Sequence, residues 1–123
     1  MFGVIRAMVT ETEQTYFNLT IVCEGLNSLA SSSDVQLSLN RKGLVHLDDV
    51  FDPMPLDYLP WLEENNTISC GFASKLRDLY DKIDNVVGDM EWQEKDEYIS
   101  NNTVELQQWR QVAVQLLSEI NCV

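Results

Sequence analysis

Glycine is scarce in this chain of 123 residues, with five in all, and neither GxGxxG nor GxxxxGK[ST] can be assembled from them. A phosphate-cradling backbone loop therefore has no sequence support. Cysteine is scarcer still. Cys23, Cys70 and Cys122 lie far apart, are odd in number and form no CxxC pair, which removes support for zinc and thioredoxin-type chemistry. The pattern suits buried or idle thiols in a reducing compartment. Positive charge is also short: eight Lys and Arg stand against 20 Asp and Glu, for a formal net charge of −12. Nucleic-acid binding rests on Lys and Arg at phosphates, so it is disfavoured, and so is direct binding to anionic membranes. Arg41-Lys42 is a lone basic pair, read most simply as a turn. No run reaches the roughly 18 apolar residues needed to span a bilayer. Met1 to Thr10 holds one Arg and no uninterrupted apolar stretch, so no signal peptide is expected and the cytoplasm is the expected location.

What is present is core material. The hydrophobic fraction is 45%, with three Trp, four Tyr and four Phe, more than a disordered acidic chain carries. The length fits one folded domain over residues 1–123. The acid is concentrated in the middle. Residues 43–74 hold six acids and no Lys or Arg, and residues 78–97 hold eight acids against two lysines. Such charge either keeps the protein soluble or steers it to a basic partner. Three N-x-T triplets start at Asn18, Asn65 and Asn101. In a secreted eukaryotic protein they read as glycan acceptors; without a signal peptide they are expected to be coincidental, and Asn18 lies in an apolar run where a glycan does not fit.

Periodicity predicts a mainly α protein, a compact helical bundle. Leu106, Trp109, Ala113, Leu116 and Ile120, widened by Val112 and Leu117, predict an amphipathic helix over about 103–121, with Asn102 and Glu105 as its N-terminal signal. Phe72, Leu76, Leu79, Ile83, Val86 and Met90 predict a second helix, capped by Ser69 and loosened at Gly88. The positions Phe2, Ile5, Val9, Thr12, Tyr16, Leu19, Cys23, Leu26 and Ala30 keep a 3,4 spacing and favour helix, although residues 15–22 are rich in β-favouring types and a pair of strands joined near Thr12 stays open. Val35, Leu37 and Leu39 alternate, and a turn at Asn40 to Gly43 makes a hairpin with residues 44–47; the other option is a short helix on Leu44, Leu47 and Phe51. The alternative fold is thus α+β with a small antiparallel N-terminal or central hairpin. Asp57 to Asn65 reads as a short helix that tolerates Pro60 in its first turn, and Glu91 to Ser100 as a charged connection.

Catalysis has little to stand on. His46 is the only histidine; it precedes Asp48 and Asp49, and a dyad with Cys70 at a helix N-terminus is the one other arrangement to consider. Neither has a local signature. Asp78, Asp81, Asp84 and Asp89 have helical spacing rather than the alternate-position spacing of a calcium loop, and read as a solvated helix face. A two-carboxylate glycosidase site has no cleft signature to support it. No enzyme activity, cofactor, metal or small-molecule substrate is expected.

The remaining signal is a surface. Asp48, Asp49, Asp52, Asp57, Glu63 and Glu64 surround Phe51, Met54, Leu56, Tyr58 and Trp61, while Asp89, Glu91, Glu94, Asp96 and Glu97 surround Trp92 and Tyr98. Aromatic anchors inside a charged rim match the make-up of a binding hot spot. Trp61 is expected to pack in the protein's own core; for Trp92 core and interface are both open. The last helix, Trp109-Arg110-x-x-Ala113-x-x-Leu116-Leu117, resembles the closing helix of small bacterial immunity proteins, which are also similar in size and acidity. That resemblance implies one-to-one neutralisation of a basic toxin domain, such as a nuclease of a contact-dependent inhibition or colicin system, through acids that steer and pair with its bases. The competing expectations are a phage-type nucleic-acid mimic, an acidic structural or adaptor domain, and a small hydrolase using His46 or Cys70.

Overall fold

The computed structural model describes residues 10–42 and 50–122, with the backbone alone for residues 40–42. Among them are six α-helices and no strand: α1 (Glu11–Ala30), α2 (Ser33–Lys42), α3 (Leu59–Glu64), α4 (Cys70–Val87), α5 (Trp92–Asn101) and α6 (Val104–Glu119), with a 3-10 segment at Met54–Tyr58 leading into α3. The bundle expectation holds, and the hairpins do not occur among the described residues. Residues 44–47, the proposed second strand, lie outside the described set, as do Phe2, Ile5 and Val9.

Helix α1 starts because Thr10 accepts the Glu13 N–H at 3.0 Å, with Glu11 and Glu13 in the first turn, where the helix dipole favours acids. Helical spacing wins over the β-rich composition because it gathers Leu19, Val22, Cys23, Leu26 and Leu29 on one buried face, while Phe17 stays exposed. Helix α2 replaces the expected alternating strand: Val35 faces solvent and the intervening Gln36 is fully buried. Pro55 and Pro60 sit in the opening turns of the 3-10 segment and α3, where a missing N–H costs no hydrogen bond.

Helix α4 begins at the Ser69 cap, whose Oγ accepts the Phe72 N–H at 3.0 Å, and buries Phe72, Leu76, Leu79, Tyr80, Ile83 and Val87. The stretch after Glu91 is a helix, not a connection. Glu91 and Glu94 form a reciprocal capping box, with the Glu91 N–H donating to Glu94 Oε1 at 3.3 Å, so the acids themselves start α5. Helix α6 starts one residue later than its sequence signal, at a Thr103 cap that accepts the Leu106 N–H at 3.2 Å. Asn102 instead closes α5 in the left-handed region, with φ 47°, a conformation Asn tolerates better than most residues.

Helix α1 packs against α6, the 3-10 segment and α3, α6 also packs on α4, and α2 packs on α5. The buried residues of α1, α3, α4, α5 and α6 make one hydrophobic cluster. At one end Phe51 meets Trp109 and Tyr98 edge-on at 6.2 and 6.3 Å, while Tyr98 stacks on Trp109 at 5.8 Å, arrangements that suit aromatic quadrupoles. Cys23 in α1 and Cys122 just beyond α6 form a disulfide, their Cα atoms 5.9 Å apart. This corrects the expectation of idle thiols: α1 and α6 are neighbours, and the bridge ties the chain end to the middle of α1. Cys70 alone is free, exposed at the first turn of α4. No helix among the described residues is long and apolar enough to cross a membrane.

Candidate binding surface

Of the first acidic group, Asp48 and Asp49 lie outside the described residues, as does His46, so the imagined His46 dyads are outside them too. Asp52 is half-buried and accepts the Met54 N–H at 2.8 Å, shaping the turn into the 3-10 segment. Glu63 is held by the Arg77 guanidinium of α4. Asp57 and Glu64 are exposed. Trp61 is not in the core: it is partly exposed, and its indole N–H donates to Thr15 Oγ1 at 3.1 Å, pinning α3 to α1.

In the second group, Glu91 and Glu94 carry the capping box, and Asp89, Glu91, Glu94 and Glu97 are exposed while Asp96 is half-buried. Trp92 is 62% exposed, which places an indole on the surface at the start of α5. Tyr98 is half-buried by its stack on Trp109, and its hydroxyl donates to Glu105 Oε1 at 3.3 Å. Burial raises the Tyr98 phenol pKa, a hydrogen bond with Thr103 lowers it, and the Glu105 carboxylate raises it again. Tyr98 is thus occupied inside the protein.

The first group meets helix α4 at a place that spacing along the chain does not mark. Asp52 lines a recess of about 210 Å³ together with Phe51, Pro53, Asp84 of α4 and Lys95 of α5. Pro53 and Asp84 also line a wider open groove of about 610 Å³, with Leu56, Arg77, Asp78 and Asp81. Sharing two residues, the recess and groove form one trough along α4. Its carboxylates at positions 78, 81 and 84 project from one helix face because three-residue steps nearly close a turn. Asp78 is paired with Lys82 at 3.0 Å. Helical spacing marks Asp81 and Asp84 as a solvated face; the fold lays the proline-bearing segment at Pro53 and Leu56 beside them, which spacing alone does not reveal.

Tyr80 borders the same trough from within. It is buried, its hydroxyl has no hydrogen-bond partner among the described residues, and burial first, then the Asp52 charge, push its pKa far up. The phenol stays protonated at any physiological pH. Among the described residues no group of three or more His, Cys, Asp or Glu is placed to hold a metal ion. A further cleft of about 530 Å³ between α4 and α6 is lined by both signs of charge and crossed by the Lys75–Glu119 ion pair.

No family model, no curated protein and no solved structure significantly matches the chain.

Proposed function

We propose that this protein works by stoichiometric binding rather than catalysis, capturing a basic protein domain through its acidic face, in the manner of immunity proteins that neutralise a toxin. The observation that carries the reading is Trp92: a large indole, 62% exposed, in a stretch of sequence whose Asp89, Glu91, Glu94 and Glu97 are exposed as well. A folded monomer gains nothing from leaving that much aromatic area in water, whereas an aromatic anchor with a charged rim concentrates binding energy. The carboxylates of Asp81 and Asp84 extend the acidic field and speed encounter with a basic partner.

The regular row of Asp78, Asp81 and Asp84 favours nucleic-acid mimicry as a second reading. Lys82, paired with Asp78, and Arg77 interrupt that row with positive charge, so capture of a protein through an aromatic anchor ranks first. The Cys23–Cys122 bridge favours an oxidising compartment over the cytoplasm expected from composition.

The test is affinity capture with the whole chain as bait at low and moderate salt, followed by titration of the recovered partner with wild type and with Trp92→Ala. One basic domain bound one to one, with affinity lost in the variant, supports the reading. Recovery of a DNA-binding enzyme whose catalytic groove is blocked moves the weight to mimicry. Unchanged affinity in Trp92→Ala removes the anchor and with it the proposal.

A further inference from the structure

Where α3 and the 3-10 segment pack on α1, aromatic rings stand at the surface. Phe17 of α1 is 46% exposed and meets Tyr58 edge-on, with ring centroids 6.0 Å apart and planes at 73°. Trp61 of α3, three residues beyond Tyr58, is 37% exposed. The rings are held in place. Trp61 donates its indole N–H to Thr15 Oγ1 at 3.1 Å, and Asn65 Nδ2 donates to the same oxygen at 2.7 Å, so two bonds fix α3 on α1. Phe17 and Tyr58 brace each other. Rings fixed beforehand lose little side-chain freedom when a partner arrives.

The charge carried by these elements has one sign. Helix α1, the 3-10 segment and α3 hold six acids, Glu11, Glu13, Glu24, Asp57, Glu63 and Glu64, and no Lys or Arg. Among the described residues only Glu63 of the six is ion-paired, to Arg77 of α4. Glu13 stands about one turn before Phe17 on α1, and Glu64 nearly one turn after Trp61 on α3, so each carboxylate shares a helix face with its ring. Asp57 directly precedes Tyr58. All three acids are exposed.

An aromatic face attracts a cation through its quadrupole, and the carboxylates attract it again. Of the two basic side chains, arginine fits both features. Its planar guanidinium stacks on a ring while its N–H fork reaches carboxylates; the lysine ammonium is a compact, strongly hydrated point charge that does neither as well.

We infer that the Phe17–Tyr58–Trp61 face is a docking surface for an arginine-bearing segment of a basic protein. The guanidinium enters the corner that the Phe17 and Tyr58 rings make, and the acids beside the rings meet its N–H groups. The inference rests on the binding reading for the charge of the partner and makes no use of Trp92.

The test titrates the full nitrogen-15-labelled chain with two blocked peptides of equal charge, hexa-arginine and hexa-lysine. The chain has three tryptophans, so three indole N–H signals, assigned by Trp→Phe variants, report three places: Trp61 this face, Trp92 the start of α5, and Trp109 the core. Hexa-arginine is expected to shift the Trp61 signal and to bind about threefold or more tighter than hexa-lysine, the scale of an exposed cation–π contact. Phe17→Leu keeps apolar bulk without a ring and is expected to abolish the preference for arginine while leaving the circular-dichroism spectrum unchanged. Glu13→Gln with Glu64→Gln, which leaves the rings alone, is expected to weaken both peptides. A shift at Trp92 without one at Trp61 overturns this surface and leaves the binding reading standing. Equal affinity for the two peptides, an arginine preference that survives Phe17→Leu, or no shift at any indole also overturns the inference, while the Trp92→Ala capture experiment decides the binding reading separately.

Discussion

Arg110 in α6 donates from Nε to the backbone carbonyl of Ser31 at 2.7 Å, joining residues 79 apart in the chain. Its Nη2 also reaches Ser33 Oγ and Gln36 Oε1, both at 3.2 Å, and Nη1 reaches Asn102 Oδ1. One guanidinium thus holds the end of α1, the start of α2 and the α5–α6 turn. Gln36 completes the set: fully buried, it donates from Nε2 to the Ser28 and Leu29 carbonyls at 3.2 and 3.1 Å. Among the described residues no carboxylate takes part, and the positive charge is met by oxygen dipoles; the Ser31 carbonyl among them lies at the end of α1, where the helix favours a cation.

Removing that fork leaves buried acceptors without donors. Arg110→Met keeps the aliphatic stem and is expected to lower unfolding free energy by about 2–3 kcal/mol, the scale of a lost charged hydrogen bond plus an orphaned buried amide. Arg110→Lys keeps the charge but not the planar fork and is expected to recover only part of the loss. Urea titration checks both: the midpoint should fall while the slope stays constant. A midpoint equal to wild type for Arg110→Met would show that the network is incidental.

The disulfide closes a sequence separation of 99 residues. The loop-entropy model assigns a closure of that size about 4–5 kcal/mol. Cys122→Ser, or reduction before the melt, is expected to lower stability by that order, whereas Cys70→Ser, at an exposed site, should be nearly neutral. Thiol titration in denaturant gives a direct count: one reactive thiol before reduction and three after. Three before reduction would mean that the bridge does not form.

Tyr80 supplies a pH prediction with a defined sign. Its folded-state pKa is raised above the ordinary 10.0, mainly by burial. Above pH 10 the unfolded chain releases this proton while the folded chain keeps it. Stability from this group is therefore full below that pH and is lost as pH rises beyond it. Tyr80→Phe should flatten the alkaline loss and, by removing a buried unpaired hydroxyl, should cost little near neutral pH, within about 1 kcal/mol. Gly25→Ala tests the same corner from the other side. A Cβ there would lie 2.5 Å from Pro55 Cγ and 3.0 Å from the Tyr80 hydroxyl, so melting should show a loss despite alanine's better helix propensity.

The bundle was legible wherever one helix face was continuously apolar. The stripes through Leu76, Leu79 and Ile83 and through Leu106, Trp109, Ala113 and Leu116 follow the helical period and are buried as read. Helix α5 was not legible, because it buries only Ile99 fully and starts on an acid-based capping box rather than a Ser or Thr. The Val35, Leu37, Leu39 alternation misled because the inward residue is Gln36, a polar group satisfied by Arg110 and two carbonyls from α1. Tyr98 looked like part of an acidic surface, yet stacking on Trp109 takes it inward, and only the fold brings those rings together. The pairing of Cys23 with Cys122 depends on how α1 meets α6, about which periodicity along either helix is silent. The trough is likewise tertiary: Asp52 and Asp84 meet only because the segment before α3 lies beside α4.

Trp92 separates binding from folding most cleanly. Because its ring is mostly in water, Trp92→Ala should change unfolding free energy by no more than about 0.5 kcal/mol, the range of ordinary surface substitutions. If it anchors a partner, the same change should weaken that complex by about 2 kcal/mol or more, mainly through faster dissociation. Reversing Asp81 and Asp84 to Lys should act differently, slowing association and reducing its salt dependence, since exposed rim charges act chiefly on encounter. Stopped-flow association at two ionic strengths, read beside equilibrium unfolding of the same variants, resolves the two roles. A Trp92→Ala protein that unfolds several kcal/mol more easily would mark the indole as a structural residue and remove the surface argument built on it.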